Sequence, residues 1–226
     1  GINLLPSKAS TTIEEGRKHA KELGYPFVIK IQVPVGGRGK AGGIQKCQND
    51  DEFELKYPQV LGLTIKGEKA RAILLEKMAD IKKELYLSLF LNRSKRCYTI
   101  IASPEGGVEI ESVKNQIIKE VGLGNVSEQV AREVAKEMKL EGKAADDFVD
   151  ILQKLAKLTI EKEAELAEIN PLAIMQDGSL MALDGKFVTD DNGNFRHDEL
   201  QKYQEKTEME ERAEKSGFSL VELDGN

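Results

Sequence analysis

Hydrophobic and polar residues follow two different periods along the chain. Apolar residues recur every three or four positions in some segments, which is typical of core-facing helices, and form alternating or continuous apolar runs in others, which is typical of strands. The helical spacing occupies residues 12–23 and most of 127–160. Strand-like runs occupy residues 27–33, 43–47, 71–78, 84–92 and 96–103. Helices and strands thus alternate along the chain, which predicts an α+β (α/β) fold.

Capping and breaking residues mark where several of these elements begin and end. Thr11 and Glu14 form a capping-box pattern ahead of the first helix, and Gly24 stands where that helix should end. A short helix over residues 50–57 is expected to break at Pro58.

The carboxyl-terminal part of the chain combines a hairpin pattern with a run of charged residues. Residues 166–187 read as a β-hairpin, the charged run over 198–215 as a solvated helix or linker, and residues 218–223 as a last short strand. His19 and His197 are both expected to be ordinary surface histidines.

The strand FVIKIQV places a lysine opposite its apolar face. Strict alternation puts Phe27, Ile29, Ile31 and Val33 on one face, so Lys30 points away from the expected core. Such a lysine could reach nucleotide phosphates, or it could be a surface lysine whose stem packs on the protein while its amine stays in water.

The segment VPVGGRGKAGGI that follows contains five glycines, an arginine and a lysine between two apolar runs. It is not a Walker A loop, because Pro34 stands where a glycine is needed and Ala41 where a hydroxyl is needed. A dinucleotide-binding turn is disfavoured too, since the residues after Gly42 make a poor helix start. We therefore expect a glycine-rich flap between two strands, whose amides could close over phosphate oxygens with Arg38 and Lys40 adding charge. The alternative is a mobile surface hairpin that binds nothing.

The predicted hairpin offers a candidate metal site. If Gln176, Asp177 and Gly178 form a three-residue loop, the register places Asn170 directly opposite Asp184. An amide oxygen and a carboxylate on one face suit Mg²⁺, which commonly takes one or two protein ligands plus phosphate oxygens. The same register puts Glu168 opposite Lys186. A two-residue turn would shift the register by one, and a polar pair on a solvated strand edge is the alternative interpretation.

Composition limits the classes of function. The formal net charge of −6 argues against non-specific binding to nucleic acid or membranes, and the longest strongly apolar stretch is far too short to span a bilayer. The two cysteines, Cys47 and Cys97, lie far apart and suggest neither a zinc site nor a disulfide framework. A cytoplasmic protein is expected.

Five motifs together resemble a known family. They are KIQVPVGGRGKAGGI, LLEKMADIKKELYL, ASPEGGVEIE, LAEINPLAI and MALDGK. In this order and spacing they resemble the β subunit of succinyl-CoA synthetase, whose amino-terminal region is an ATP-grasp nucleotide-binding domain. The resemblance implies an ATP-grasp fold with a smaller lobe over 1–79 and a larger lobe over 80–226. The family continues into a carboxy-terminal CoA-ligase domain and begins with a further helix, so this chain is expected to be a fragment, or a subunit shortened at both ends.

The resemblance also implies roles for individual residues. Lys30, with Gly37, Arg38 and Gly39 of the flap, would contact nucleotide phosphates. Glu76 and Ala79, between the lobes, would flank the base, and Glu84 would lie near the ribose. Glu168 would steady the phosphohistidine loop of a partner subunit. Asn170 and Asp184 match the Mg²⁺ ligands of the family, in agreement with the hairpin register.

The implied reaction is a reversible phosphoryl transfer from ATP or GTP to a histidine of an α subunit, which also binds CoA, coupled to succinyl-CoA formation from succinate. Neither histidine of this chain is expected to carry the phosphate. Two alternatives are open: the ATP-grasp lobe of a ligase for another acid, such as malate, citrate or acetate, and a non-catalytic fragment that docks a partner.

Overall fold

Two large antiparallel sheets with helices packed against them, together with a small two-stranded sheet, make up residues Gly1–Asp190, one of two compact units of the chain. The structure is a computed structural model that describes residues 1–33, 35–108, 110–201, 208–218 and 220. Its strands are β1 (Ser7–Ser10), β2 (Phe27–Gln32), β3 (Ile44–Cys47), β4 (Thr64–Ile65), β5 (Glu68–Lys69), β6 (Ala72–Lys77), β7 (Ile81–Asn92), β8 (Cys97–Ser103), β9 (Ile117–Val121), β10 (Ala164–Met175), β11 (Leu180–Ala182) and β12 (Gly185–Thr189). Its helices are α1 (Ile13–Leu23), α2 (Asp50–Leu61), α3 (Glu128–Glu137), α4 (Gly142–Glu161), α5 (Asp198–Gln201) and α6 (Glu208–Lys215), with short 3₁₀ helices at Ile110–Ser112 and Asp191–Arg196.

The first sheet has the strand order β1-β6-β2-β3 and packs against α1 and α2. Phe27, Ile29 and Ile31 are completely buried on its covered face, which confirms the alternation predicted for β2. Helix α1 approaches α2 closely at Gly16, where a Cβ would lie 2.9 Å from the rings of Phe53 and Tyr57.

The second sheet has the order β11-β10-β7-β8-β9, with β12 also paired to β10. Leu85, Leu87 and Leu89 of β7 are fully buried in the core that α3 and α4 complete. Tyr86 and Ser88 of the same strand are also buried, so β7 is covered on both faces. The second covered face carries the polar side chains described below.

Several local predictions need correction. Helix α1 is capped by Thr12 rather than Thr11: the Thr12 hydroxyl accepts from the Glu15 amide, and the Glu15 carboxylate accepts from the Thr11 amide. Helix α2 does not break at Pro58 but continues to Leu61, because proline removes a single intrahelical hydrogen bond while Tyr57 and Val60 on either side of it are buried. The short strands β1, β4, β5 and β9 were not predicted, since none has an extended run of apolar residues.

The change from one sheet to the other falls between Lys77 and Ile81, at the predicted lobe boundary. Both sheets nevertheless belong to the same compact unit, so the division into lobes at residue 79 stays a prediction.

The second unit, Asp191–Asn226, contains α5 and α6. Part of the predicted charged helix or linker (202–207), and most of the predicted last strand (219 and 221–223), lie outside the described residues. The His197 side chain is only 12% exposed, so its assignment as a surface histidine is wrong. In the part of the chain that the structure describes, no helix combines the length and the apolarity needed to cross a bilayer.

Candidate functional site

Lys30 lies where the two sheets meet. The alternation of β2 places its side chain on the face opposite the core of the first sheet, diagonally across from Glu76 on β6, since Val28 is the direct partner of Glu76. Its ammonium group forms an ion pair with Glu76 and donates to the carbonyl oxygen of Leu183 at 2.9 Å. The side chains are 13% and 9% exposed. The predicted phosphate-binding lysine is therefore a buried link between the sheets rather than a surface residue.

The carboxyl group of Glu76 experiences opposing effects. Burial raises its pKa, the hydrogen bond and the charge of Lys30 lower it, and the nearby carboxylate of Asp184 raises it; the net pKa lies above the ordinary value. Glu76 is thus held by Lys30 in a largely buried site, close to the carboxylate of Asp184.

The glycine-rich segment forms the predicted turn between two paired strands, β2 and β3. Within it the Gly43 amide donates to the Arg38 carbonyl at 2.9 Å, and Gly37 has φ +84°. A Cβ on Gly43 would lie 2.4 Å from Ile31 Cγ2, which explains the glycine there. Pro34 lies outside the described residues. The flap has a defined internal structure, and Gly37 and Gly39 flank the residue that reaches the second sheet.

That residue is Arg38, whose guanidinium forms an ion pair with Asp184, between β11 and β12. The Arg38 side chain is 19% exposed and that of Asp184 is 35% exposed. The other carboxylate oxygen of Asp184 accepts from the Gly185 amide at 2.9 Å. The flap cation and the predicted metal ligand therefore contact each other directly.

The register of the β10–β11 hairpin agrees with the prediction. Gly178 has φ +81°, the Met175 amide donates to the Ser179 carbonyl at 2.9 Å, and the Asn170 amide donates to the Asp184 carbonyl at 3.0 Å. The three-residue loop is therefore confirmed, and Asn170 and Asp184 lie opposite each other.

The side chains of these two residues have separate partners. Asn170 Oδ1 accepts from the Gly107 amide at 2.8 Å and its Nδ2 donates to the Val108 carbonyl at 3.1 Å, while Asp184 is paired with Arg38. A carbonyl oxygen has two lone pairs, so Asn170 Oδ1 keeps one for a metal ion.

These donors meet the preference of Mg²⁺ for hard oxygen ligands. Among the described residues no three or more His, Cys, Asp or Glu side chains cluster in a way that could hold a metal ion. A divalent ion here would draw on one amide, one carboxylate and oxygens from outside the protein, which fits Mg²⁺ held together with phosphates.

Glu168 is also paired as predicted, opposite Lys186 on β12, and it faces Ser88 on β7. Its Oε2 accepts from the hydroxyl of Tyr86 at 2.7 Å. Burial, with further contributions from the hydrogen bond to Glu168 and its charge, raises the pKa of Tyr86 well above its ordinary value, so this hydroxyl remains a donor.

Ala79, predicted to lie near the base, is in the segment that connects the two sheets. Glu84, predicted to lie near the ribose, is near the start of β7. Ala79 is half-buried in the connection, and Glu84 lies across from Ala173 of β10. The carbonyl of Glu84 accepts from the Gly106 amide at 3.0 Å. Glu84 is thus hydrogen-bonded to the loop that also binds the side chain of Asn170. Ala79 follows Glu76, the partner of Lys30, by three positions in the chain.

Sequence reasoning missed three contributors: Tyr86, the carbonyl of Leu183, and the loop around Gly106 and Gly107. Tyr86 had a usable signal, because Glu84, Tyr86 and Ser88 alternate with leucines along β7. A backbone carbonyl such as that of Leu183 leaves no mark in the sequence.

This chain matches known proteins both in sequence and in fold. The profile of the ATP-grasp domain matches residues 1–174. The succinate–CoA ligase [ADP-forming] subunit beta of Chloroflexus aurantiacus is 41% identical over 237 aligned positions, covering 100% of this chain and 62% of the relative. The subunit of the same name from Deinococcus radiodurans is 38% identical, covering 99% of this chain and 61% of the relative. The chain thus spans less than two thirds of the length of these relatives.

Solved structures agree at the level of the fold. An acetyl-coenzyme A synthetase of Ca. Korarchaeum cryptofilum superposes with a TM-score of 0.72 at 20% identity, covering 84% of this chain and 87% of that one. The ATP citrate lyase of Methanothrix soehngenii gives a TM-score of 0.67 at 17% identity, covering 92% of this chain and 52% of that one. With the profile match over most of its length, this chain belongs to the ATP-grasp domain family.

Proposed function

We propose that this chain is the nucleotide-binding part of a succinate–CoA ligase β subunit. The relatives that carry this name align with essentially the whole chain. The observation that carries the proposal is the meeting of Lys30 and the flap residue Arg38 with Leu183 and Asp184, which brings two cations and a carboxylate together between the sheets.

The proposed reaction transfers a phosphoryl group from a nucleoside triphosphate to a histidine of a partner α subunit, coupled reversibly to the formation of succinyl-CoA. In it, Lys30 and Arg38 would bind phosphate oxygens and offset the charge that develops on them. Bound Mg²⁺, held by Asn170 and Asp184, would supply further neutralisation of phosphate charge. Glu168, oriented by the Tyr86 hydroxyl, would steady the loop that carries the histidine. Glu76 and Ala79 would flank the base, and Glu84 would bind the ribose.

The ion pair of Arg38 and Asp184 gives this proposal a specific consequence. A metal ion and a guanidinium would compete for the same carboxylate, whereas phosphate oxygens offer the guanidinium a new partner. Binding of the metal with the nucleotide would therefore exchange one ion pair for two favourable contacts, so metal and nucleotide should bind more tightly together than separately.

The relatives are named for ADP, which favours an adenine nucleotide over a guanine nucleotide for this chain. Succinate is the acid favoured by the same names. The acid and CoA sites are expected outside the residues discussed above, so a ligase for another acid is the alternative. Assays of the complete complex with a panel of acids would separate these. The cytoplasmic location stays a prediction.

Calorimetric titration with ADP and GDP, each with Mg²⁺ and with EDTA, tests the nucleotide site. We expect ADP to bind with clear dependence on Mg²⁺ and GDP to bind more weakly. A folded chain that binds neither nucleotide under either condition would contradict the proposal and favour a docking fragment.

A further inference from the structure

One loop that has no role in the proposed reaction lies against two of the candidate site residues. This loop, Gly106 to Val108, follows β8 and is called the Gly106 loop below. The Gly106 amide donates to the carbonyl of Glu84 at 3.0 Å, and the Gly107 amide donates to Asn170 Oδ1 at 2.8 Å. The side-chain Nδ2 of Asn170 in turn donates to the Val108 carbonyl at 3.1 Å.

The hydrogen bonds to Asn170 occur where regular sheet pairing is interrupted. The β10–β7 ladder shifts its register between Ile169 and Leu172, so Asn170 lies at an irregularity of the sheet. Both ends of its side-chain amide bond to the backbone of the Gly106 loop, which fixes the rotation of the amide and leaves one lone pair of Oδ1 free.

The two glycines allow the loop to approach this closely. A Cβ on Gly106 would lie 2.2 Å from the Leu85 carbonyl oxygen, and a Cβ on Gly107 would lie 2.1 Å from Glu84 Oε2. Gly107 also has φ +69°, a conformation that strains other residues. The carboxylate of Glu84 therefore rests in space that only glycine at position 107 leaves open.

From these contacts we propose that the Gly106 loop is a positioning element that sets the metal-ligand amide of Asn170 and the ribose-binding carboxylate of Glu84 at the same time. It connects the two ends of the nucleotide site through one short piece of backbone. This inference rests on the proposed function, since it assigns the loop a task at the nucleotide site.

The test uses Gly107→Ala in the full chain, with Gly67→Ala as a matched control. Gly67 has φ +88° and nothing within 4 Å of an added Cβ, so its substitution introduces backbone strain without a steric contact. Asn170→Ala and Glu84→Ala are measured beside them. ADP binding is titrated by calorimetry in Mg²⁺ and in EDTA, and thermal melting is recorded for each variant.

We expect Gly107→Ala to lower the affinity for ADP by about 10-fold or more in Mg²⁺, the usual cost of losing a residue that orients a metal ligand, and to lower it in EDTA as well. Asn170→Ala should lower it only in Mg²⁺, and Glu84→Ala in both conditions. Gly67→Ala should leave both affinities near those of the wild type.

Hydrogen exchange of the Gly107 amide gives a readout that does not need nucleotide. Exchange should be slow in the wild type and faster in Asn170→Ala, because the acceptor of this amide is removed. Equal exchange rates in the two proteins would overturn the inference.

Two binding outcomes would overturn it as well. If the wild type binds Mg²⁺–ADP and Gly107→Ala matches Gly67→Ala, or loses affinity in only one condition, the joint positioning role fails while the proposed function stands. If the folded wild type binds no nucleotide, the proposed function fails and the inference fails with it.

Discussion

The two sheets contribute opposite kinds of chemistry to the candidate site. The first sheet and its flap supply the cations Lys30 and Arg38, whereas the second sheet supplies oxygen donors from Asn170, Leu183 and Asp184. Glu76 is the exception, an acid on the first sheet that is paired with Lys30. Neither sheet alone could neutralise a phosphate and hold a metal ion, so the site depends on how the two sheets meet.

The sheets also differ in how their site residues are held. The flap is built from residues close in sequence, with hydrogen bonds inside the turn. In the second sheet, the side chain of Asn170 is held by hydrogen bonds to the Gly106 loop, which lies 62 or 63 positions earlier in the chain. Local structure thus forms the cationic half, and long-range contacts form the oxygen-donor half.

The largest expected effect comes from breaking the buried link between the sheets with Lys30→Met. The substitution leaves the Glu76 carboxylate, only 9% exposed, without its cation, and loss of one partner from a buried pair costs about 3 kcal/mol of unfolding free energy. Urea unfolding measures this cost. The double variant with Glu76→Gln should recover much of it, because the uncompensated charge is gone.

Lys95→Met is the control for that substitution. Lys95 pairs with Glu120, and both side chains are about half exposed, so we expect no measurable change. If the two lysine substitutions had equal effects, the Lys30 pair would not be a buried link between the sheets.

A smaller effect is expected from Asp184→Ala, which removes the oxygen donor that meets the flap. Affinity for ADP in Mg²⁺ should fall by about 100-fold, the upper end of what loss of a metal-site partner costs, while binding in EDTA changes little. The fold should persist because the Asp184 side chain is partly exposed. Calorimetry in both conditions measures the difference.

Asp146→Ala provides a matched control, since Asp146 also pairs with an arginine, Arg132, but lies on the surface of α4. Unchanged affinity in Asp184→Ala, as in this control, would contradict the assignment of Asp184 as a metal ligand.

The smallest expected effect is a change in the free energy of unfolding with pH, and it arises in the core of the first sheet. Burial, followed by a minor effect of Glu52, raises the pKa of the Cys47 thiol from 9.0 to about 11, against a lowering by Lys56. A raised pKa means that the folded state favours the neutral thiol. Its contribution to stability is therefore complete below about pH 8 and is lost as the pH rises through about 11.

Urea unfolding between pH 7 and pH 11, with wild type and Cys47→Ala compared at each pH, measures this contribution. The advantage of the wild type over the variant should shrink above pH 9, near the ordinary thiol value. Cys97→Ala, on the second sheet and half-buried, is the control for alkaline effects common to all thiols. A constant difference between wild type and Cys47→Ala across this range would show that the thiol does not titrate with a raised pKa.

The sequence by itself determined the features that depend on neighbouring residues. Alternation fixed the buried face of β2, turn chemistry around Gly178 fixed the register that pairs Asn170 with Asp184, and the five family motifs identified the ATP-grasp fold. These features follow from local periodicity and backbone conformation, or from a motif order that the chain displays directly.

Only the tertiary structure decided which of these residues meet. The pairing of Lys30 with Leu183 spans 153 positions, and that of Arg38 with Asp184 spans 146. No local pattern encodes such contacts, because they arise from the packing of one sheet against another and partly involve backbone atoms that every residue possesses. For the same reason the sequence named Asn170 and Glu84 as separate site residues, and only the fold placed one glycine loop against both.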